Sequence, residues 1–409
     1  MTDRTGDAEV DALIGREQLR RTRSLQLIAS ETEPSAGVRT AMASVFDTKY
    51  AEGYPGARYH GGCEVVDDVE RLAIDRAREL FDAPYANVQP NSGSAAGVAV
   101  YAAFAQPGDP VLALRLDQGG HQTHGSRANF SGRWFSPLHY GVRTSDERID
   151  YDQVRDLALV HRPRILVAGG AAYSRFYDFA VLREIADEAE CVLWVDAAHL
   201  AGLVAAGVAA SPMPYADVVT VSTNKVLRGP RGGLILAPGR HRVVLDKAVF
   251  PFVQGGTAMN AIAGKAVAFA EAATPEFAAY VRTAVANAAA LSAALTERGL
   301  RIVSGGTDTH LAVVDVTSLD LTGVEAQRRL DAAGIVVDKA VLPFDTRPVS
   351  QGSAVRIGTP SVTLAGLGTQ DMPLLADWIV EALRSPVGSR DDGGPHARIR
   401  GQITDLPAG

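Results

Sequence analysis

Lys225 is the residue whose setting first suggests chemistry. It closes the run Asp217-Val-Val-Thr-Val-Ser222-Thr-Asn224-Lys225 and leads into Val-Leu-Arg228-Gly-Pro-Arg231-Gly-Gly. An apolar strand before it and a Gly-Pro-Arg-Gly-Gly turn after it put the amine at the end of a buried element. Burial among hydroxyls and beside arginines favours the free amine, and such an amine forms Schiff bases with carbonyl compounds. Two other segments bear on it. In Cys191-Val-Leu-Trp-Val-Asp196-Ala-Ala-His199 an acid ends a buried strand, where α/β proteins place ligands. In Asn91-Ser92-Gly93-Ser94 small hydroxyl residues and a glycine open a helix, an arrangement that presents backbone N–H groups to an anion. Taken singly, each has a plain reading: a surface-loop lysine, an Asp capping the next helix, a Ser N-cap.

Taken together, they supply an anion cradle, a carboxylate and an amine, which is the set that pyridoxal 5'-phosphate requires for its phosphate, pyridinium nitrogen and aldehyde. An Asp–pyridinium contact is a charge-assisted hydrogen bond worth about 1.5–3 kcal/mol, and it keeps the ring protonated.

Elements must hold these residues in place, and hydropathy supplies them. Short apolar runs at 110–114, 165–168, 191–195, 218–221 and 233–237 alternate with helical stretches such as 94–104 and 180–189. That alternation predicts an α/β domain around a mostly parallel, buried sheet. Residues 65–81 predict an amphipathic helix with Val65, Val66, Val69, Leu72, Ala73, Ala77 and Leu80 on its buried side. Alanine-rich helices are expected at 260–271 and 276–298, and a smaller α+β domain beyond them. The resulting division is an N-terminal arm at 1–40, a large domain at 41–272, a small C-terminal domain at 273–386, and a partly disordered tail at 387–409.

Composition narrows the function classes. With 46% hydrophobic and 21% charged residues the 409-residue chain has ordinary globular proportions. A net charge of −7 argues against a nucleic-acid surface. Cys63 and Cys191 are too few and too far apart for a disulfide framework or a metal site, so a reducing cytoplasm is expected. No apolar run is long enough to span a bilayer, and residues 1–12 lack a signal-like apolar core.

Longer stretches extend the reading. TKYAEGYPGARYHGG at 48–62, GGHQTHGS at 119–126, VDAAHLAGLVAAGV at 195–208, LRGPRGGLILA at 227–237 and VRIGTP at 355–360 occur in this order. With them the chain resembles serine hydroxymethyltransferases from about Leu27 to Ala382. The resemblance implies the aspartate-aminotransferase-like fold (fold type I) and a homodimer with shared active sites, acting on a small amino acid.

It also implies roles for individual residues. Lys225 would be the Schiff-base lysine and Asp196 the pyridinium partner. His121 would stack on the ring, and His199 would lie near the ring hydroxyl. Ser92, Gly93, Ser94 and Ser222 would hold the cofactor on one side, with Gly255 and Gly256 reaching the phosphate from the other subunit. Arg356, assisted by Ser30, would clamp the substrate carboxylate. Tyr50 and Glu52 would come from the partner subunit, with Glu52 as the acid–base group near the substrate hydroxyl and His60 beside the substrate. His124, His139, His161, His241 and His396 are read as surface or packing residues.

The chain departs from the family pattern near the cofactor. Asn224 and Val226 replace the usual His and Thr around the lysine, and His60 a usual Tyr. Ala171 stands for a Ser, and Gly97 for an Asn. The PGGQGG run reads Pro251-Phe-Val-Gln-Gly-Gly256. On the folate side Phe344 and Ser350 replace an Asn and an aromatic, while Tyr59, Leu116 and Gly120 still match. Three readings follow. One is hydroxymethyl transfer between serine or α-methylserine and glycine or alanine, with tetrahydrofolate. The second is folate-independent threonine transaldolase or aldolase chemistry. The third is a catalytically weak regulatory homologue.

Overall fold

The computed structural model describes residues 5–387 and 393–405. The first residues of the expected arm, and 388–392 and 406–409 of the expected tail, lie outside them. Two compact units result: Ser30–Arg282, and Met1–Ala29 together with Thr283–Gly409.

The unit Ser30–Arg282 is built on seven strands: β1 (Tyr85–Asn87), β2 (Pro110–Leu114), β3 (Ser136–Tyr140), β4 (Ile165–Ala168), β5 (Val192–Asp196), β6 (Val218–Ser222) and β7 (Gly233–Ala237). Their spatial order is β1-β7-β6-β5-β4-β2-β3. Neighbours from β6 to β3 pair in parallel, while β7 runs antiparallel to both β6 and β1. Strand side chains alternate between faces, and here both faces are covered. Leu112, Leu166, Leu193, Val195, Val219 and Leu234 enter one core. Val111, Ile165, Val167, Trp194, Val218 and Ile235 enter the other. Asp196 and Ser222 share the Trp194 face by this alternation, and each ends its strand.

Helix α1 (Glu64–Phe81) covers the first core, and helix α2 (Gly93–Phe104) covers the second. The buried stripe of α1 differs from the expected one. Val66, Ala73 and Ala77 are buried as expected, but Val65 and Leu72 are 64% and 44% exposed. Asp67 and Glu70 are buried in their place because Arg58 lies over the helix, donating to Asp67 Oδ1 at 2.8 Å and Glu70 Oε2 at 2.5 Å. Ion pairing therefore rotates the buried face away from the purely apolar stripe. Helix α3 (Met259–Ala272) packs on α1.

The second unit has its own core, with Leu25, Leu27, Leu291, Leu330, Ile357 and Ile379 among its members. It carries a sheet of β8 (Leu311–Asp315), β9 (Asp338–Ala340) and β10 (Ala354–Gly358), in which β10 is central and antiparallel to both neighbours. The N-terminal segment adds Leu25–Gln26 as a strand parallel to Ile335–Val336. Inside the expected tail, Pro395–Thr404 is a helix that buries Ile399 and Ile403.

Candidate active site

Strand β5 delivers Asp196 and strand β6 delivers Ser222, both at their C-terminal ends. Asp196 accepts from Ala198 N at 3.1 Å through Oδ1 and pairs with His124 Nε2 at 3.0 Å through Oδ2. Burial by itself raises the carboxyl's pKa. The His124 hydrogen bond and the charges of His124, Lys225 and His121 outweigh burial and hold it at about 2. The result is a half-buried carboxylate that stays ionised and can keep a bound heterocyclic N–H protonated.

His124 is a residue that sequence reasoning left among the packing histidines. It is 1% exposed and its ring meets Trp194 edge-on at 5.3 Å. Its importance arises from a tertiary contact with a residue seventy-two positions away. The one sequence clue was its place, three residues after His121. His121 itself is half-buried, its Nδ1 2.7 Å from Thr123 Oγ1 and 3.3 Å from Thr123 N. His199 is 7% exposed, in the turn just past Asp196.

Ser92 caps α2, its Oγ accepting from Ala95 N at 3.0 Å. Gly93 follows, and only a residue without a side chain fits: a Cβ there would lie 2.1 Å from Ser222 Oγ. The helix start therefore closes directly onto the end of β6. Small hydroxyls and free N–H groups converge there, an anion cradle of the kind that helix N-termini form.

The turn holding Lys225 is tied on several sides. Thr223 is fully buried; its N–H donates to Gly232 O at 3.1 Å and its Oγ1 to Pro230 O at 2.6 Å. Thr32 Oγ1 donates to the carbonyl of Lys225. Arg228, at a φ of 59°, donates to Glu33 O at 3.1 Å and covers the Tyr280 ring at 5.5 Å. Its visible work is to order the loop. Ser30 lies two residues before Thr32, half-buried.

The remaining residues of this unit form a second group. Glu52 Oε2 is 3.5 Å from His60 Nε2, and Tyr50 meets the His60 ring edge-on at 5.6 Å. A Cβ on Gly255 would lie 3.2 Å from Glu52 Oε1, and one on Gly256 3.6 Å from the Tyr50 ring. Tyr50, Tyr59 and Phe252 are 67%, 75% and 66% exposed. Tyr50, Glu52, His60, Gly255 and Gly256 are thus brought together on one chain, on an exposed face.

Arg356 belongs to the other unit. It stands in β10 directly opposite Asp338 of β9 and donates to Asp338 Oδ2 at 2.5 Å. Phe344, at a φ of 61°, lies on a turn of the same unit and is 48% exposed. Among the described residues no group of three or more His, Cys, Asp or Glu could hold a metal ion. No helix among the described residues is long and apolar enough to cross a membrane.

The donor set fits pyridoxal 5'-phosphate: a cradle that a single Cβ would fill, and an ionised carboxylate at the neighbouring strand end within charge range of Lys225. Comparison with known proteins points the same way. A family model described as "Serine hydroxymethyltransferase" matches residues 4–379. A protein of that name from Coprothermobacter proteolyticus is 53% identical over 376 residues, covering 92% of this chain and 91% of the relative. Others of that name from Acidobacterium capsulatum and Koribacter versatilis are each 49% identical over 400 residues, covering 98% of this chain and 93% of the relative.

Proposed function

Because the chain belongs to the serine hydroxymethyltransferase family, we propose that it moves the hydroxymethyl carbon of serine to tetrahydrofolate, leaving glycine. The family is one of pyridoxal-phosphate-dependent transferases of fold type I, and the seven-stranded mixed sheet is the frame of that fold. The observation that carries the proposal is the meeting of Asp196, Ser222 and the Gly93 helix start at one end of the sheet.

In this reading Ser92, Gly93, Ser94 and Ser222 would hold the phosphate, Asp196 the pyridinium N–H and Lys225 the aldehyde carbon. The bound cofactor supplies an electron sink for the electron pair released when the Cα–Cβ bond breaks. His124 keeps Asp196 ionised and aimed. His121 offers a ring face, and His199 a polar group for the ring hydroxyl. Arg356 would bind the substrate carboxylate with Ser30 assisting, since a guanidinium fork fits a carboxylate and fixes which Cα bond is aligned for cleavage. Its pairing with Asp338 pre-orients that fork.

Glu52 would take or return a proton at the substrate hydroxyl. Tyr50, Glu52, Gly255 and Gly256 are assigned to the site of a second copy, which makes the working unit a homodimer. What supports this is their grouping on an exposed aromatic face. Two buried, unpaired cysteines suit a cytoplasmic setting.

Incubation of purified protein with serine, with and without tetrahydrofolate, tests the reading. Glycine formed rapidly only with folate is the expected result. Acetaldehyde released from threonine in the absence of folate, at a rate matching or exceeding the serine reaction, would contradict it.

A further inference from the structure

Helix α3 carries a lysine that the chemistry above does not use. Lys265 is 1% exposed. Its Nζ donates to three main-chain carbonyls: Val88 at 2.5 Å, Gly233 at 2.9 Å and Pro90 at 3.1 Å. An ammonium has three N–H donors, and all three are used. Burial pushes the amine's pKa down to about 7, opposed by the charge of Glu70. The third carbonyl argues for the ammonium, because a neutral amine has one donor fewer and would leave a buried acceptor unmet.

The carbonyls belong to two segments that the cofactor needs. Val88–Asn91 is the exit of β1, and Ser92 follows it. The planar trans peptide puts the N–H of each unit opposite its C=O, so holding the carbonyls also aims the amides. The peptide whose carbonyl is Pro90's sends its Asn91 N–H to Gln254 Oε1 at 3.2 Å, and the Val88 peptide sends Gln89 N–H to Asn87 Oδ1 at 3.0 Å. The Gln89 carbonyl in turn accepts from Gln254 Nε2 at 3.0 Å and Thr257 Oγ1 at 2.9 Å.

The other segment leads back to Lys225. Gly233 N donates to Pro90 O at 2.8 Å, and Gly232 O accepts from Thr223 N at 3.1 Å. A Cβ on Gly232 would lie 2.3 Å from Lys265 Cε, 2.8 Å from its Nζ and 3.0 Å from Thr223 Oγ1. Lys265 and the Thr223 turn therefore press on the same glycine from two sides.

We propose that Lys265 is a positioning residue for the cofactor: seated on the Val88, Pro90 and Gly233 carbonyls, it sets the spacing between the helix start at Ser92–Ser94 and the turn that carries Lys225. This rests on the cofactor assignment made above. The spacing matters only to a ligand that must touch both ends, an aldehyde joined to a phosphate. A ligand with the aldehyde alone reaches Lys225 wherever the cradle lies.

That difference gives the test. Apoprotein of the wild type and of Lys265→Met is titrated with pyridoxal phosphate and, separately, with phosphate-free pyridoxal, followed by visible absorbance. The expected result is a Kd for pyridoxal phosphate raised by about tenfold or more, with the pyridoxal Kd changed by less than about threefold. Inorganic phosphate should raise the Tm of wild-type apoprotein and fail to raise that of the variant. Equal weakening of both ligands, or of neither, overturns the proposal. Should Lys265→Met not fold, Gly232→Ala displaces the side chain while keeping the charge, and the same split between ligands is required of it. A wild type that takes up no pyridoxal phosphate overturns the cofactor assignment itself, an outcome distinct from a variant that binds as the wild type does.

Discussion

The unit Ser30–Arg282 holds two groups of candidate residues, and they are built differently. Around Asp196 the groups are partly or fully buried: strand ends supply them, His124 and the Lys225 turn have named partners, and the low carboxyl pKa is set within the chain. Around Glu52 the groups sit on a face with exposed aromatics, and the contact to His60 is loose at 3.5 Å. The first group has the parts that the proposed cofactor anchor needs. The second has reactive side chains with open space in front of them. The contrast is the one the proposal requires, in which one chain finishes the cofactor half of a site and lends the proton-moving half to a neighbour.

The sharpest way to break that contrast is to mix two dead variants. Lys225→Ala and Glu52→Gln should each be inactive as pure preparations. Mixed and allowed to exchange subunits, they should recover about one quarter of wild-type activity, because half the dimers are mixed and each has one intact site. No recovery, with exchange verified, would mean that each chain uses its own Glu52.

Asp196→Asn should lower kcat by about 10²–10³-fold, the scale of losing a preorganised charge, with visible absorbance reporting the altered cofactor. The linkage has a definite sign. A carboxyl held at about 2 instead of about 3.9 contributes stability that is complete above the higher value and disappears as pH falls through the lower one. His124→Asn should move that acid limb upward, seen in Tm against pH. An unmoved limb would show that His124 is packing after all.

Gly93→Ala places a methyl 2.1 Å from Ser222 Oγ. Destabilisation of about 1–3 kcal/mol is expected, with weaker cofactor uptake, and Ser222→Ala in the same chain should restore much of the stability. The smallest effect is expected at His60. His60→Tyr should change kcat/KM by only about severalfold, with an altered pH profile because the contact to Glu52 is lost. An identical profile would separate His60 from Glu52.

Much of the enclosed group was legible in the sequence. Lys225, Asp196 and Ser92 each adjoin a periodic apolar run, so their places at element ends followed from local pattern alone. The sheet strands at 110–114, 165–168 and 233–237 were readable for the same reason. His124 and Lys265 were not, because each owes its role to partners brought near only by folding. Lys265 reads as one charge in an alanine-rich helix, and nothing local says that three carbonyls await it. The misplaced face of α1 has the same origin: Glu70 and Asp67 are buried by Arg58, which hydropathy cannot foresee.

The central claim is that Lys225 carries pyridoxal phosphate. Borohydride reduction of the yellow holoprotein, followed by digestion and peptide mass spectrometry, tests it most directly. The account predicts a single reduced cofactor adduct, on the peptide containing Lys225 and on that residue. An adduct on another lysine, or none after full loading with the cofactor, would contradict it.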